Sequence, residues 1–194
     1  LPYVDGVKML IIPDASTRLA ALRTGKLDHL YSMTLEDRNS VLKSQPEMSC
    51  TRVLPANSLN IFMRLDKPEL PWYDIRVRRA LTMGIDRQKI KDEFYLGDAE
   101  ILFDPVPPYP IYLEKLYTPL EKLPPSVQEL YQYNPEKAKK LLAEAGYPNG
   151  FKTEILTWNT ATYVDLLAVV KDYWVKIGVD VKLDAKEYAV YVST

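Results

Sequence analysis

The stretch PWYDIRVRRALTMGIDRQKIKDEFYLG, residues 71–97, contains the signals of two consecutive helices. Asp74 is a suitable N-cap, because its carboxylate accepts hydrogen bonds from the backbone amides of a first helical turn. Asp86 stands in the same position before a second helix, which Gly97 ends. Apolar side chains recur at helical spacing on one face of the first helix: Ile75 (or Val77), Ala80, Leu81 and Ile85. We therefore predict a pair of helices that turns its apolar face towards a core.

The composition is that of an ordinary globular protein rather than a disordered one. The chain has 194 residues, 47% of them hydrophobic and 26% charged. No apolar run approaches the roughly 20 residues that a membrane-spanning helix needs. The net charge of −1 gives no electrostatic reason to expect nucleic acid as a partner. The sequence thus predicts neither a membrane span nor nucleic-acid binding.

Histidine and cysteine are almost absent, which removes whole classes of chemistry. His29 and Cys50 are the single representatives of their types. A zinc site of Cys and His ligands needs about four such side chains, so this chain cannot supply one. We interpret His29 as a structural histidine and Cys50 as a small apolar residue in a strand. No cofactor or metal is predicted.

Alternating strand and helix signals run through the first 65 residues. A helix is expected between Asp14 or Ser16 and Gly25, and a second one from Thr34, which begins a capping box with Asp37. Short apolar or alternating runs between and after the helices predict strands at residues 7–12, 27–31, 50–54 and 59–65. The first two strands with their helix would form a parallel β–α–β unit.

The second half of the chain repeats the α/β pattern after a proline-rich segment. Residues 104–125 interleave prolines with tyrosines, which predicts a surface arm that either packs on the domain through its tyrosines or carries function. Asn134 and Pro135 then begin a clear helix that Gly146 ends. A strand at 153–158, a helix at 162–177 and a last strand at 179–183 follow.

Two polar clusters are candidate ligand-binding positions. Trp158, Asn159 and Thr160 come at the carboxyl end of a predicted strand, where open α/β sheets bind their ligands. The indole would stack on a ligand while the two polar side chains form hydrogen bonds; the alternative is a turn with a half-buried tryptophan. The second cluster lies at a suspected crossover between domains and consists of Asn57, Ser58 and Asn60. These side chains either bind a peptide backbone or satisfy their own turn.

The charged residues of the opening stretch are better explained by structure than by catalysis. Arg76, Arg78 and Arg79 lie on an amphipathic helix, where arginines more often form a solvated or carboxylate-paired face than an anion site. A hydrolase with paired carboxylates is the rival class of function, with Glu187 and Asp165 as candidates. No acidic pair stands out, and we predict that the protein is not an enzyme.

Several motifs occur together in one order, and that order resembles a known family. They are TRLAALRTGKLD (17–28), DIRVRRAL (74–81) with IDR (85–87), YNPEKAKKLLAEAGY (133–147) and KIGVDVK (176–182). Each motif alone is an ordinary capped helix or helix end. Together they resemble the family 5 extracellular solute-binding proteins, the oligopeptide and dipeptide receptors of ABC importers. The similarity covers nearly the whole chain.

The resemblance implies a fold, a domain division and a function. The fold class is α/β, an incomplete lobe of periplasmic-binding-protein type II with a mixed sheet flanked by helices. Residues 1–55 would be the C-terminal segment of the first lobe and 56–194 a truncated distal ligand-binding lobe. Such receptors close on their ligand by hinge motion.

The same resemblance implies a cellular setting. The protein would capture peptides in the cleft between lobes and deliver them to ABC permease subunits. Nickel chelates, haem, opines or oligosaccharides are alternative cargo. A periplasmic or extracellular location is expected, as a lipoprotein or a free protein. Because the chain begins LPYVD without a leader, we expect it to be an internal piece with a signal peptide upstream.

Overall fold

The computed structural model describes residues 3–53, 59–102 and 117–194. The chain divides into two compact units, Leu1–Val53 and Leu54–Thr194. Within the described ranges, no helix is both long and apolar enough to cross a bilayer.

The first unit contains two capped helices. Helix α1 (Ala15–Arg23) begins after Asp14, whose carboxylate accepts from the Thr17 amide at 2.7 Å. Helix α2 (Leu35–Ser44) begins after Thr34, whose hydroxyl oxygen accepts from the amide of Asp37 at 3.0 Å. Two hydrogen bonds link the end of α1 to α2, from the Arg23 guanidinium to the Ser40 hydroxyl and from the Gln45 side-chain amide to the Arg23 carbonyl. Both predicted helices are therefore confirmed.

The strands predicted in the first unit are wrong. Residues 7–12 and 27–31 form no strand, and neither do the described residues 50–53. The side chains of Val7 and Met9 are 80% and 90% exposed. A strand is stabilised by a hydrogen-bonded neighbour and a covered apolar face, and the described part of this unit supplies neither. The predicted β–α–β unit is consequently absent there.

The strand predicted at residues 59–65 is also wrong, although its alternation is partly preserved. Ile61 and Met63 pack against the core of the second unit, whereas Phe62 between them is 90% exposed. The segment thus turns alternate side chains inward without being paired to another strand.

The helix pair predicted from the opening stretch is present in the second unit. A 3₁₀ turn (Pro71–Tyr73) precedes helix α3 (Ile75–Met83), and the Asp74 carboxylate accepts from the Arg76 amide at 2.8 Å. Helix α4 (Arg87–Lys89) is capped by Asp86 and continues as a π-helical turn (Ile90–Phe94). The turn ends at two residues with positive φ, Leu96 at 52° and Gly97 at 80°.

Short helical turns precede the next long helix. They are a 3₁₀ turn (Leu120–Lys122), helix α5 (Pro125–Gln128) and a 3₁₀ turn (Glu129–Tyr131). Helix α6 (Pro135–Glu144) then begins after Asn134, whose side chain accepts from the Lys137 amide at 3.0 Å. Of the proline-rich arm predicted at 104–125, residues 104–116 lie outside the described residues.

A parallel β–α–β unit completes the second unit. Strand β1 (Phe151–Trp158) leads through helix α7 (Ala161–Val175) to strand β2 (Val179–Lys186), and a short helix α8 (Tyr188–Ser193) follows. The two strands pair in parallel from Phe151 opposite Val179 to Trp158 opposite Lys186. At their amino ends the glycines Gly150 and Gly178 approach so closely that a Cβ on Gly150 would overlap the Gly178 carbonyl.

The core of the second unit lies between the helices and this sheet. Helix α3 contributes Val77, Ala80 and Leu81, and α6 contributes Ala138 and Leu142. Helix α7 and strand β2 contribute further buried side chains to this core: Val170, Tyr173, Trp174, Val179 and Val181. The apolar stripe predicted on α3 and the apolar face of α6 therefore share one common core.

Candidate functional site

The predicted ligand-binding residues Trp158, Asn159 and Thr160 lie at the carboxyl edge of the parallel pair. Trp158 is the last residue of β1 and stands opposite Lys186, the last residue of β2. The Asn159 amide donates to the Lys186 carbonyl at 2.8 Å, which extends the ladder by one bond. Thr160 is the N-cap residue of α7. The three side chains therefore occupy one strand-to-helix turn, the position at which open α/β sheets bind ligands.

Trp158 is half-buried between two tyrosines that the sequence argument missed. Its ring lies 4.8 Å from that of Tyr188 at an interplanar angle of 53°, and 5.9 Å from that of Tyr163 at 63°. Tyr163 belongs to the first turn of α7 and Tyr188 begins α8. The tilted and edge-to-face geometries are those that aromatic pairs prefer.

The indole N–H of Trp158 differs from those of the other two tryptophans. Trp72 donates to the Arg64 carbonyl at 3.1 Å, and Trp174 donates to the Leu81 carbonyl at 2.9 Å. In the part of the chain that the structure describes, the Trp158 indole has no acceptor. A half-buried indole usually has a polar partner, so this N–H is a donor available to a ligand.

Asn159 and Thr160 present different polar groups. The Asn159 side chain is exposed, while its backbone amide is engaged in the ladder. The Thr160 hydroxyl is occluded from solvent and has no partner among the described residues. The first-turn amides of Tyr163 and Val164 instead bond to the Thr160 carbonyl. The exposed Asn159 amide is thus the polar side chain that a ligand reaches directly.

Two charged groups beside this edge are already engaged. Lys186 forms an ion pair with Asp184 at 2.9 Å, and the Glu187 carboxylate accepts from the Ala189 amide at 2.8 Å to cap α8. Among the described residues, no group of three or more His, Cys, Asp or Glu side chains could hold a metal ion. The edge therefore offers aromatic faces and neutral hydrogen-bonding groups.

A fourth aromatic residue approaches from the π-helical turn. Burial raises the pKa of the Tyr95 hydroxyl, and the neighbouring Tyr163 hydroxyl adds to that effect. The Tyr95 ring contacts that of Phe94 edge-to-face at 4.9 Å. The interaction of the two hydroxyls couples the end of the π-helical turn electrostatically to the first turn of α7.

The other predicted binding residues are on a separate segment. Asn60 is exposed and lies next to Ile61 in the segment that packs on the core. Asn57 and Ser58 lie outside the described residues.

A shallow cavity of about 220 Å³ is found at the opposite, amino end of the strands, where Gly150 and Gly178 help to line it. It is smaller than a typical ligand pocket, so the carboxyl edge remains the better candidate.

The arginines and acids of the motifs have structural partners. Arg76 pairs with Asp74 at 2.6 Å, Arg78 donates to the Trp72 carbonyl at 2.8 Å, and Arg79 lies 3.6 Å from a Glu129 oxygen. Hydrogen bonding from Arg76 lowers the pKa of Asp74 below its ordinary value. These contacts support the structural interpretation of the arginines rather than an anion site.

Comparison with solved structures identifies the class of protein. The ABC transporter-associated periplasmic binding protein DppA of Helicobacter pylori, solved in complex with the peptide STSA, is 30% identical with a TM-score of 0.67. HbpA2 of Haemophilus parasuis is 33% identical with a TM-score of 0.66. The matches cover 93% and 94% of this chain but only 32% and 34% of the solved chains. The fold is accordingly that of an incomplete lobe of a type II periplasmic binding protein, which confirms the predicted fold class.

The family follows from the sequence comparison. The family model of bacterial extracellular solute-binding proteins, family 5 Middle, matches residues 1–194, and the chain belongs to this family. Heme-binding protein A of Haemophilus influenzae is 29% identical over 97% of this chain. The chain spans about a third of the length of that relative. The relatives are solute-binding proteins rather than enzymes, as the sequence predicted.

Proposed function

We propose that the protein is the substrate-binding component of an ABC importer and captures peptides at the carboxyl edge formed by Trp158, Asn159 and Thr160. The observation that carries the proposal is the indole N–H of Trp158, which has no acceptor among the described residues and belongs to a ring held between two tyrosine rings at the end of parallel strands. The solved relative with the peptide STSA supports the choice of peptide as cargo.

Each residue of the edge has a role in this proposal. Trp158 provides a flat apolar surface and donates its N–H to a peptide carbonyl. The exposed Asn159 amide bonds to the peptide backbone as donor and acceptor. The Thr160 hydroxyl forms a hydrogen bond with the peptide only after its side chain rotates out of its occluded position. Asn57, Ser58 and Asn60 supply further backbone contacts from the crossover segment.

Capture and delivery follow the mechanism of two-lobed receptors. Residues 1–55 belong to the first lobe and 56–194 to the distal lobe, and the lobes close around the ligand. The closed form is then delivered to the membrane permease. The protein acts in the periplasm or on the outer face of the membrane, and the binding step involves no covalent chemistry.

The test uses tryptophan variants of the intact gene product. Trp158→Phe keeps an aromatic surface but removes the N–H, so Kd for a bound peptide should rise about 5- to 15-fold, as expected for one lost hydrogen bond. Trp158→Ala should weaken binding further. Trp72→Phe is the matched control, since it also removes an indole N–H, and it should leave Kd unchanged. Isothermal titration with a single tripeptide such as Ala-Phe-Ala measures all three. An unchanged Kd in Trp158→Ala contradicts the proposed site.

Haem is the second candidate cargo, favoured by the name of the Haemophilus influenzae relative, heme-binding protein A. A Soret band that develops on titration with haemin, together with no response to peptides, would select haem over peptide. A response to peptides alone would select the first candidate.

A further inference from the structure

The aromatic rings at the carboxyl edge come from three different elements. Trp158 ends β1, Tyr163 lies in the first turn of α7, and Tyr188 lies in α8. Trp158 contacts both tyrosines, so its ring is fixed from two sides. Tyr188 is nevertheless 51% exposed, which leaves much of its ring open to a ligand. Rigid Trp and Tyr rings supply contact area at a small entropic cost.

The electrostatics of this edge disfavour recognition of a charged side chain. Lys186 is paired with Asp184, and Glu187 caps α8 through the Ala189 amide. An ionic group on the cargo would lose hydration here without gaining an uncommitted opposite charge. A flat aromatic group loses little hydration and gains ring-to-ring contacts with Trp158 and Tyr188.

We infer that this edge selects cargo with a flat aromatic group, and that Tyr188 is the specificity-determining residue. The inference rests on the proposed function and narrows its substrate class from peptides in general to those that place a planar ring at the edge. The planar ring comes either from a peptide side chain or from a porphyrin, and the experiment separates these sources.

The experiment compares two tripeptides that differ in planarity but hardly in size. Ala-Phe-Ala carries a flat aromatic ring, and Ala-cyclohexylalanine-Ala carries a puckered ring of similar apolar area. We expect the intact gene product to bind the Phe peptide about 3- to 10-fold more tightly, which is the range expected of one aromatic pair. Protoporphyrin IX is the third probe. If the protein binds protoporphyrin, if Tyr188→Leu weakens that binding, and if the two tripeptides bind equally, the planar group belongs to a macrocycle.

Two variants on α8 make the test specific. Tyr188→Leu should reduce the Phe preference to about 1 while changing Kd for the cyclohexylalanine peptide less than about 2-fold. Tyr191→Leu, on the same helix, is the matched control and should preserve the preference. Unfolding midpoints of both variants, measured without ligand, show whether the fold is intact.

The outcomes separate this inference from the function on which it rests. Equal binding of both tripeptides with no porphyrin binding overturns the inference and leaves the peptide receptor standing. A Phe preference that survives Tyr188→Leu also overturns the role of Tyr188. No binding of either tripeptide, of a wider tripeptide pool or of protoporphyrin overturns the proposed function and the inference together.

Discussion

The indole N–H of Trp174 donates to the carbonyl oxygen of Leu81, 2.9 Å away and 93 positions earlier in the chain. Both side chains are buried. The bond satisfies a carbonyl in the last turn of α3, which has no partner within its own helix. It therefore ties the helix of the opening stretch to α7, the helix that begins at the candidate ligand edge.

Replacing Trp174 by phenylalanine should destabilise the second unit strongly. The variant leaves the Leu81 carbonyl buried without a donor and opens a small cavity, so we expect a loss of about 2–4 kcal/mol in the free energy of unfolding. Trp72→Phe is the control, because its N–H bonds to the more exposed Arg64 carbonyl, and it should cost about 1 kcal/mol. Urea denaturation measures both. Equal costs would contradict the role assigned to the buried bond.

Two glycines with positive φ should respond differently to alanine. The Cβ that Gly146→Ala adds lies in open space, so only the positive φ of 95° is unfavourable for alanine. We expect a loss of about 1–2 kcal/mol in the free energy of unfolding. Gly150→Ala at φ 72° adds an overlap with the Gly178 carbonyl and should cost clearly more or prevent folding. Soluble yield and urea midpoints distinguish the two variants. Similar stability of both would show that the strand ends do not approach as described.

The pH dependence of stability should contain a contribution from Asp74. Hydrogen bonds from Arg76 lower the pKa of this carboxylate in the folded state, so its stabilisation is complete above the unfolded value of about 4 and is lost as the pH falls through the folded value. The unfolding temperature of Asp74→Asn should therefore be lower than that of the wild type at pH 7, and the difference should shrink as the pH is lowered. Asp180→Asn, an exposed change on β2, is the control. A difference that is constant from pH 7 to pH 2 would contradict this assignment.

Leu96 should be replaceable by glycine without loss of stability. Its φ of 52° is unfavourable for a side chain with a Cβ, and the residue is 68% exposed, so little burial is forfeited. Removing the Cβ relieves about 1–2 kcal/mol of backbone strain in the folded state. This exceeds the cost of about 0.5–1 kcal/mol that the greater backbone entropy of glycine adds to folding. Leu96→Gly should thus raise the unfolding midpoint slightly. Gly97→Ala, at φ 80°, should lower it. A destabilising Leu96→Gly would contradict the argument.

Local signals predicted the helices well because capping depends on neighbours in sequence. Asp14, Thr34, Asp74, Asp86 and Asn134 all accept hydrogen bonds from the amides of the helices they precede. The π-helical turn at Ile90–Phe94 was not predicted, since an α-helix and a π-turn share the same cap and the same apolar residues.

Strands in the first 65 residues were overpredicted because pairing is not a local property. An apolar run such as residues 7–12 has strand composition, yet a strand forms only where a neighbour supplies hydrogen bonds. The strands later in the chain had such a neighbour, since β1 and β2 pair through the intervening helix α7.

The three residues of the candidate edge could be chosen from the sequence, but their aromatic neighbours could not. Trp158, Asn159 and Thr160 were chosen because they follow a predicted strand, and their role in binding stays a prediction. Tyr163 and Tyr188, whose rings contact Trp158, were missed. Tyr188 reaches Trp158 only through the register that sets Trp158 opposite Lys186. Aligning the ends of the two predicted strands sets Trp158 opposite Leu183 instead of Lys186, so the sequence alone does not place Tyr188 beside Trp158. The assignments of Asn57, Ser58 and Asn60 stay predictions, as does the division into lobes near residue 55.

Native mass spectrometry of the intact gene product, purified gently from its own cells, tests the central claim most directly. We predict a set of co-purified adducts at the masses of short peptides, which disappears in Trp158→Ala and persists in Trp72→Phe. A protein free of adducts, whose unfolding temperature also stays unchanged with a tripeptide pool, would contradict the account of a peptide receptor that binds at the Trp158 edge.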